Sequence, residues 1–336
     1  MTDQQPVPGY FSSVLVGLGQ IGMGYDRHLP EDAHVLSHVR ALRRHPRFRL
    51  LAAVDPNPDL RQQFSADTAL PAYDSVAALP EQVQAEVLVV ASPTATHQDV
   101  LTAVLARMRP RAILCEKPLA PALAGGAAMI QACRLAGVPL FVNFIRRADP
   151  AVRDVWTRIG DGRIAGPLKA VVWYSKGMLH NGSHFVDLMT YWLGPILAGR
   201  VIASGRWLGD DDAEADFFLE HERGTALFCA AREECFSHYT VEIVAANGRL
   251  RYERGGEILW QGVEADAQIA GYRRLARAAQ PIANDMDRYQ LHVMTELARA
   301  LHGESHGLCS GEEALISQSW LERLYLERDS TKECYG

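Results

Sequence analysis

Short apolar runs rich in β-branched residues alternate with amphipathic stretches along the first 144 residues. SSVLVG (12–17), FRLLAAVD (48–55), AEVLVVASP (85–93), RAILCEKP (111–118) and PLFVNF (139–144) carry strands that read as buried on both faces. Between them HVLSHVRALRRH, HQDVLTAVLARM and AGGAAMIQACRLAG carry apolar residues at three- and four-residue spacing, the period of a helix with one buried stripe. This alternation predicts an N-terminal Rossmann domain, a doubly wound α/β fold with a parallel sheet covered on both faces.

Past Phe144 the rhythm changes. A helical stretch at 150–160 and a helical patch, SHFVDLMTYWLG, stand among LKAVVWYSKG, RVIASGRWLG, ADFFLEHE, GTALFCAARE, SHYTVEIVAANGRLRYERG and GEILWQG. Strands that follow one another through NG, GG and ERG turns predict a C-terminal α/β domain with a large, mostly antiparallel open sheet. Two helical patterns, at 285–303 and 311–327, close the chain. The boundary falls near residues 143–150, which gives domains of 1–145 and 146–336.

Composition narrows the class. A chain of 336 residues supports two cores, and 48% hydrophobic with 22% charged residues leaves little room for a long disordered tract. With 34 Lys and Arg against 40 Asp and Glu, and no basic run beyond RALRRHPRFR, nucleic-acid binding is disfavoured. MTDQQPVPGY lacks a secretory pattern and no window approaches a membrane span, so a cytoplasmic protein is expected. Cys115, Cys133, Cys229, Cys235, Cys309 and Cys334 are scattered without a CxxC pair, the usage of free buried thiols in a reducing compartment.

Gly17, Gly19 and Gly22, with Gln20 and Ile21 between them, form GxGxxG directly after the first strand. Glycines there let the backbone turn tightly and approach a pyrophosphate without a Cβ in the way. Asp55 ends the second strand, where a carboxylate hydrogen-bonds an adenosine ribose and repels a 2′-phosphate, which favours NAD over NADP. The gap from Gly22 to Asp55 exceeds the usual spacing, and GMGYDRHLPEDAH (22–34) reads as an insertion ahead of the first helix. Turn glycines with a helix-capping Asp55 would give the same pattern without a ligand.

Lys117 in CEKP follows a strand into the same crevice, where an ammonium can hold a substrate oxygen and a cofactor ribose together; a solvated loop lysine is the plainer alternative. Glu116 beside it would orient or balance that charge. His180, Asn181, His184 and Asp187 fall within KGMLHNGSHFVDL. A histidine titrates near neutrality and accepts an alcohol proton, and a helix starting near Ser183 puts His184 and Asp187 on one face. Packed or capping histidines would look the same. Zinc at HNGSH is disfavoured by Gly182 and the lack of neighbouring cysteines, so no metal is expected. His97 heads a helical run, with Thr96 and Asp99 in a capping-box relation. No GxSxG elbow supports a serine nucleophile.

VGLGQIG, AVDPNP, ASPTATHQDV, CEKPLA, VNFIRRADPAV and GSHFVDLMTYWLG together resemble, in order over about residues 14–194, the Gfo/Idh/MocA oxidoreductase family of glucose-fructose oxidoreductase and inositol dehydrogenase. The resemblance implies an NAD(P)-binding domain, a second domain with a broad sheet, and homodimers or homotetramers paired through that sheet. It implies that Gly17, Gly19 and Gly22 cradle phosphate, that Asp55 selects the ribose, that Ser92, Pro93, Thr94 and His97 line the cofactor path, and that Lys117 is catalytic. His184 matches the family's histidine at the start of the substrate-domain helix. One departure stands out: many sugar and inositol dehydrogenases of the family carry an aspartate four residues before that histidine, and here the position is His180. Either Asp187 supplies the carboxylate from the other side or the proton relay differs.

The function implied is hydride exchange between a nicotinamide cofactor and a secondary alcohol of a sugar, nucleotide sugar or cyclitol, with Lys117 polarising the oxygen and His184 exchanging its proton. Arg146, Arg147 and Asn181 are candidate substrate contacts. A catalytically silent NAD(P)-binding sensor and an NAD-assisted glycosidase are the alternatives.

Overall fold

The computed structural model describes residues 9–209, 212–232 and 235–330, apart from the side chains of 329 and 330. The chain divides into two units, Met1–Ala148 with Asp287–Leu315 and Asp149–Met286 with Ile316–Gly336.

The first unit is built on a seven-stranded sheet. Its strands are β1 (Phe11–Val16), β2 (Phe48–Val54), β3 (Ala72–Tyr73), β4 (Val87–Val90), β5 (Ala112–Cys115), β6 (Leu140–Val142) and β16 (Cys309–Ser310), in the order β16-β6-β5-β4-β1-β2-β3. All neighbours are parallel except β16 on β6. The apolar runs explain the burial. Alternate side chains leave a strand on opposite faces, so Val14, Leu88 and Ile113 enter one core while Leu15, Val89 and Leu114 enter the other. Helices α1 (His38–Arg44), α2 (Pro58–Thr68), α3 (His97–Arg107) and α4 (Leu123–Ala136) connect the parallel strands. Asn57 caps α2 through its side chain, and Gly137, in the left-handed region, ends α4.

The helix α7 (Tyr289–Leu301) belongs to this unit, although its position in sequence suggested the second domain. Its stripe of Val293, Met294 and Leu297 packs into the same core as Val39 and Leu42 of α1. An apolar stripe says that a helix is buried, not which sheet it covers. β16, too short to carry a periodic signal, was not expected either.

The second unit holds α5 (Pro150–Gly160), α6 (Ser183–Leu193) and a nine-stranded sheet. Its strands are β7 (Leu168–Tyr174), β8 (Ile196–Leu208), β9 (Asp212–His221), β10 (Gly224–Ala230), β11 (Thr240–Ala245), β12 (Gly248–Glu253), β13 (Glu257–Ala265), β14 (Arg273–Leu275) and β15 (Gln280–Ile282). They run β14-β13-β12-β11-β7-β10-β9-β8, with β15 also on β13, and every pair is antiparallel except β7 with β10. On β7, Leu168, Ala170, Val172 and Tyr174 point into the core, which also holds Phe185 and Trp192 of α6, while Lys169, Val171 and Trp173 point outward. The last helix, α8 (Gly311–Ser330), closes the described chain.

Cys115, Cys133 and Cys309 are buried as free thiols, but Cys229 is half-buried and Cys235 is exposed in the loop between β10 and β11, so the expectation of uniformly buried cysteines is corrected. Cys334 and the first eight residues lie outside the described residues. Among the described residues no helix is long and apolar enough to cross a membrane.

Candidate active site

The strand β1 delivers the chain to the glycine loop. Gly17 has φ +102°, and a Cβ there would lie 2.4 Å from the Ala91 carbonyl carbon and the Ser92 nitrogen at the end of β4. A Cβ on Gly22 would lie 2.2 Å from the Gly17 carbonyl oxygen, so these two glycines are required by the protein's own packing. Gly19 differs: nothing stands within 4 Å of its would-be Cβ, and it borders a cavity of about 750 Å³. That space suits a backbone approached by a ligand. Gln20 and Ile21 lie in a π-helical turn, Gln20–Gly24, rather than in a long helix. The chain then loops to α1, as the insertion reading anticipated; Asp26 Oδ2 closes that loop by accepting from the Leu36 and Ser37 amides at 2.6 and 2.9 Å.

Asp55 borders the same cavity and is tied to the loop. Its Oδ2 accepts from the Leu18 amide at 2.7 Å and its Oδ1 from the Asn57 amide at 2.8 Å. The helix cap is Asn57, so the capping alternative for Asp55 is not what the structure shows. Each carboxylate oxygen keeps further acceptor capacity. Leu60, Val76 and Val100 supply apolar wall, and a second acid, Asp74, stands with Ser75 after β3. Sequence reasoning missed Asp74 and Ser75, because a two-residue strand leaves no pattern to place the loop behind it.

Ser92 and Pro93 line the cavity, and so does Thr96, whose hydroxyl donates to Ser92 Oγ at 2.8 Å. Thr96 makes no side-chain cap of α3, which corrects the capping-box reading with Asp99. Thr94 opens the intervening 3₁₀ turn. His97 is 1% exposed and does not line this cavity; its ring nitrogens face the Ser92 and Leu119 carbonyls at 2.8 and 3.1 Å, joining the loops that follow β4 and β5.

Lys117 follows β5 and is half-buried. Burial alone would raise the Glu116 carboxyl, but the hydrogen bond and charge of His38, the Asn143 amide and the Lys117 ammonium together hold it below the ordinary glutamate value. Arg146 and Arg147 are both buried in the turn after β6, and Arg147 Nη1 pairs with Glu313 Oε1 at 3.2 Å.

In the second unit a π-helical turn, Gly177–Gly182, leads into α6, which begins at Ser183. Asp212 at the start of β9 fixes that turn. Its Oδ1 accepts from the Leu179 amide at 3.0 Å and the Ala213 amide at 2.7 Å, and its Oδ2 from the His180 amide at 2.9 Å. Asn181 Nδ2 donates to the Ser175 carbonyl at 3.0 Å. His180 is exposed, His184 half-buried and Asp187 fully buried. Asp212 carried no sequence signal, since the turn it holds lies more than thirty residues earlier. Among the described residues no three His, Cys, Asp or Glu side chains gather as a metal site.

The model of the Gfo/Idh/MocA family, described as an oxidoreductase family with an NAD-binding Rossmann fold, matches residues 11–144. D-apiose dehydrogenase of Paraburkholderia graminis is 28% identical over 204 residues, 53% of this chain and 54% of that protein. The chain thus matches about half the length of that relative. A protein of Amycolatopsis mediterranei named as the oxidoreductase subunit of a UDP-kanosamine synthase is 30% identical over 244 residues, covering 62% of this chain and 67% of its own. Among solved structures, an NAD-binding oxidoreductase of Klebsiella pneumoniae superposes with a TM-score of 0.76 at 18% identity, covering 96% of this chain and 97% of the other, which shows a shared fold.

Proposed function

The chain belongs to the Gfo/Idh/MocA oxidoreductase family, and from that premise we propose that it is an NAD-dependent dehydrogenase for a secondary alcohol of a sugar, nucleotide sugar or cyclitol. The observation that carries the reading is Gly19, the one glycine of the motif whose missing side chain opens onto a cavity rather than onto protein. The residues present suit a dinucleotide. Gly17, Gly19 and Gly22 would hold the pyrophosphate, Asp55 the ribose, and the wall of Leu60, Val76 and Val100 the adenine. Two acids in one cavity, Asp55 and Asp74, disfavour a 2′-phosphate and support NAD over NADP. When bound, NAD supplies the hydride acceptor.

The chain's own residues have the remaining work. Lys117 binds the substrate oxygen and stabilises negative charge as it loses its proton, and His184 takes that proton. His180, Asn181 and Asp187 shape the substrate side, with Arg146; Asp212 holds the turn that carries the first two. The outer face of the second sheet exposes Val171, Trp173 and Val244, an apolar patch that supports pairing of two copies. Free thiols suit a cytoplasmic setting.

Calorimetry with NADH and NADPH, followed by an absorbance screen for NADH formation across sugars, nucleotide sugars and inositols, tests the proposal. Tight NADH binding with turnover on one class is expected, and Lys117→Ala should lower turnover by about 10²- to 10⁴-fold with cofactor affinity retained. Binding without turnover would leave a sensor; release of free sugar without net NADH would indicate NAD-assisted glycoside cleavage.

A further inference from the structure

Glu116, the residue before Lys117, is held by side chains from elements far apart in sequence. His38 Nε2, in the first turn of α1, lies 2.7 Å from Glu116 Oε1, and Asn143 Nδ2, just past β6, donates to the same oxygen at 2.6 Å. Gln290 of α7 packs beside the pair, its Oε1 accepting from Asn143 at 3.3 Å and its amide nitrogen 3.4 Å from His38 Nε2. His38, Asn143 and Gln290 are 0, 2 and 0% exposed. The loop at 22–34 bears on this arrangement. Asp26 fixes Leu36 and Ser37, Ser37 caps α1 through its side chain, and Tyr289 donates its hydroxyl to the Leu36 carbonyl at 2.9 Å, so the turn presenting His38 is tied from both sides.

A largely buried carboxylate is costly, and an apolar side chain would fill the space more cheaply. Retaining the charge makes physical sense if something nearby uses it, and the cation beside it in sequence is Lys117. We propose that His38 and Asn143 are positioning residues: they hold Glu116 as an anion against Lys117 and so fix the lysine ammonium where the reacting oxygen is bound. This rests on the role given to Lys117 above.

The other titratable groups around Glu116 do not replace that lysine. Cys115 is pushed well up by burial, then by the Glu116 charge, and stays a thiol. Tyr289 is raised by burial and by the charges of Glu116, Tyr25 and Asp26 against the opposing Arg146, so it remains a neutral donor.

The test uses the full chain with carbon-13 labelled glutamate and lysine side chains, assigned with E116Q and K117A and followed by NMR across pH. In the wild type the Glu116 carboxyl should titrate below ordinary glutamate, and in H38Q its midpoint should rise by about one pH unit or more. Lys117 Cε should shift between wild type and H38Q, and the acid limb of kcat/KM should move up with the carboxyl. If H38Q does not fold, the wild-type titration and N143A, expected to shift the same resonance upward by less, decide the matter. A wild-type Glu116 at or above the ordinary value, an unmoved midpoint in the variants, or a Lys117 resonance indifferent to them would overturn the inference. A wild type without turnover on any substrate would defeat the dehydrogenase reading instead, while the titrations still judge this one.

Discussion

The imidazole of His38 lies 2.7 Å from the carboxylate of Glu116, across 78 residues of sequence. Two α/β connections separate them in the chain, and the parallel sheet brings the C-terminal ends of β1 and β5 to the same side, where α1 and the loop after β5 meet. The pair turns a largely buried acid, unfavourable alone, into a fixed charge beside Lys117.

The two kinds of glycine in the motif should respond differently to alanine. Gly17→Ala places a Cβ 2.4 Å from backbone at φ +102° and should cost at least about 2 kcal/mol of stability. Gly19→Ala meets no protein atom, so stability should change by less than about 0.5 kcal/mol while NADH affinity falls about tenfold. Thermal unfolding and NADH fluorescence titration separate the two; unchanged NADH affinity in Gly19→Ala would show that the cavity is not the cofactor's.

Removing Asp212 should loosen the turn before α6. Its carboxylate accepts from three backbone amides and is 8% exposed. Asp212→Ala should therefore cost about 2–3 kcal/mol and raise the substrate KM, with Asp212→Asn milder. Cofactor affinity, a property of the first unit, should not change. Denaturant unfolding and steady-state kinetics check both parts, and loss of NADH binding would contradict the assignment.

Stability should fall on acidification partly through His45. Burial, and then the charge of Arg47, lower its pKa from 6.5 to about 4. The unfolded chain binds the proton first, so this contribution is complete above about pH 6.5 and is lost as pH falls toward about 4. After allowance for solvent screening it amounts to about 1–2 kcal/mol. His45→Gln should flatten the stability profile between those values in urea unfolding; an equally steep profile would remove His45 from the account.

The open face of the second sheet should mediate self-association. Val171 and Trp173 on β7 and Val244 on β11 are 39, 43 and 52% exposed on the face away from the core. A Val171→Glu, Trp173→Arg double variant should elute as a monomer in size-exclusion chromatography with light scattering, where the wild type elutes as a dimer or tetramer. A monomeric wild type would dispose of the pairing.

Much of the fold was legible because its signals are local. β-branched runs buried on both faces read as inner strands of a covered sheet, and β1, β2, β4, β5 and β6 appear where such runs stand. The helix at 150–160 and the start of α6 at Ser183 stand where the helical patterns place them. The glycine loop was legible for the same reason, since its three glycines follow directly on the first strand. Failures came where a role depends on partners. Asp99 and Thr96 looked like a capping box, yet the Thr96 hydroxyl turns to Ser92; His97 looked ligand-facing, yet both its nitrogens face carbonyls.

The sequence by itself determined where the longer strands and helices stand, where the glycine turn lies and which family the chain resembles, because periodicity, glycine placement and motif order are properties of neighbouring residues. Tertiary structure alone decided that α7 covers the first sheet, that Asp212 holds the turn before α6, and that His38 and Asn143 meet at Glu116. The reason is physical. A buried polar group is stable only with partners at hydrogen-bond distance, and which residues supply them depends on how distant strands and helices are laid side by side.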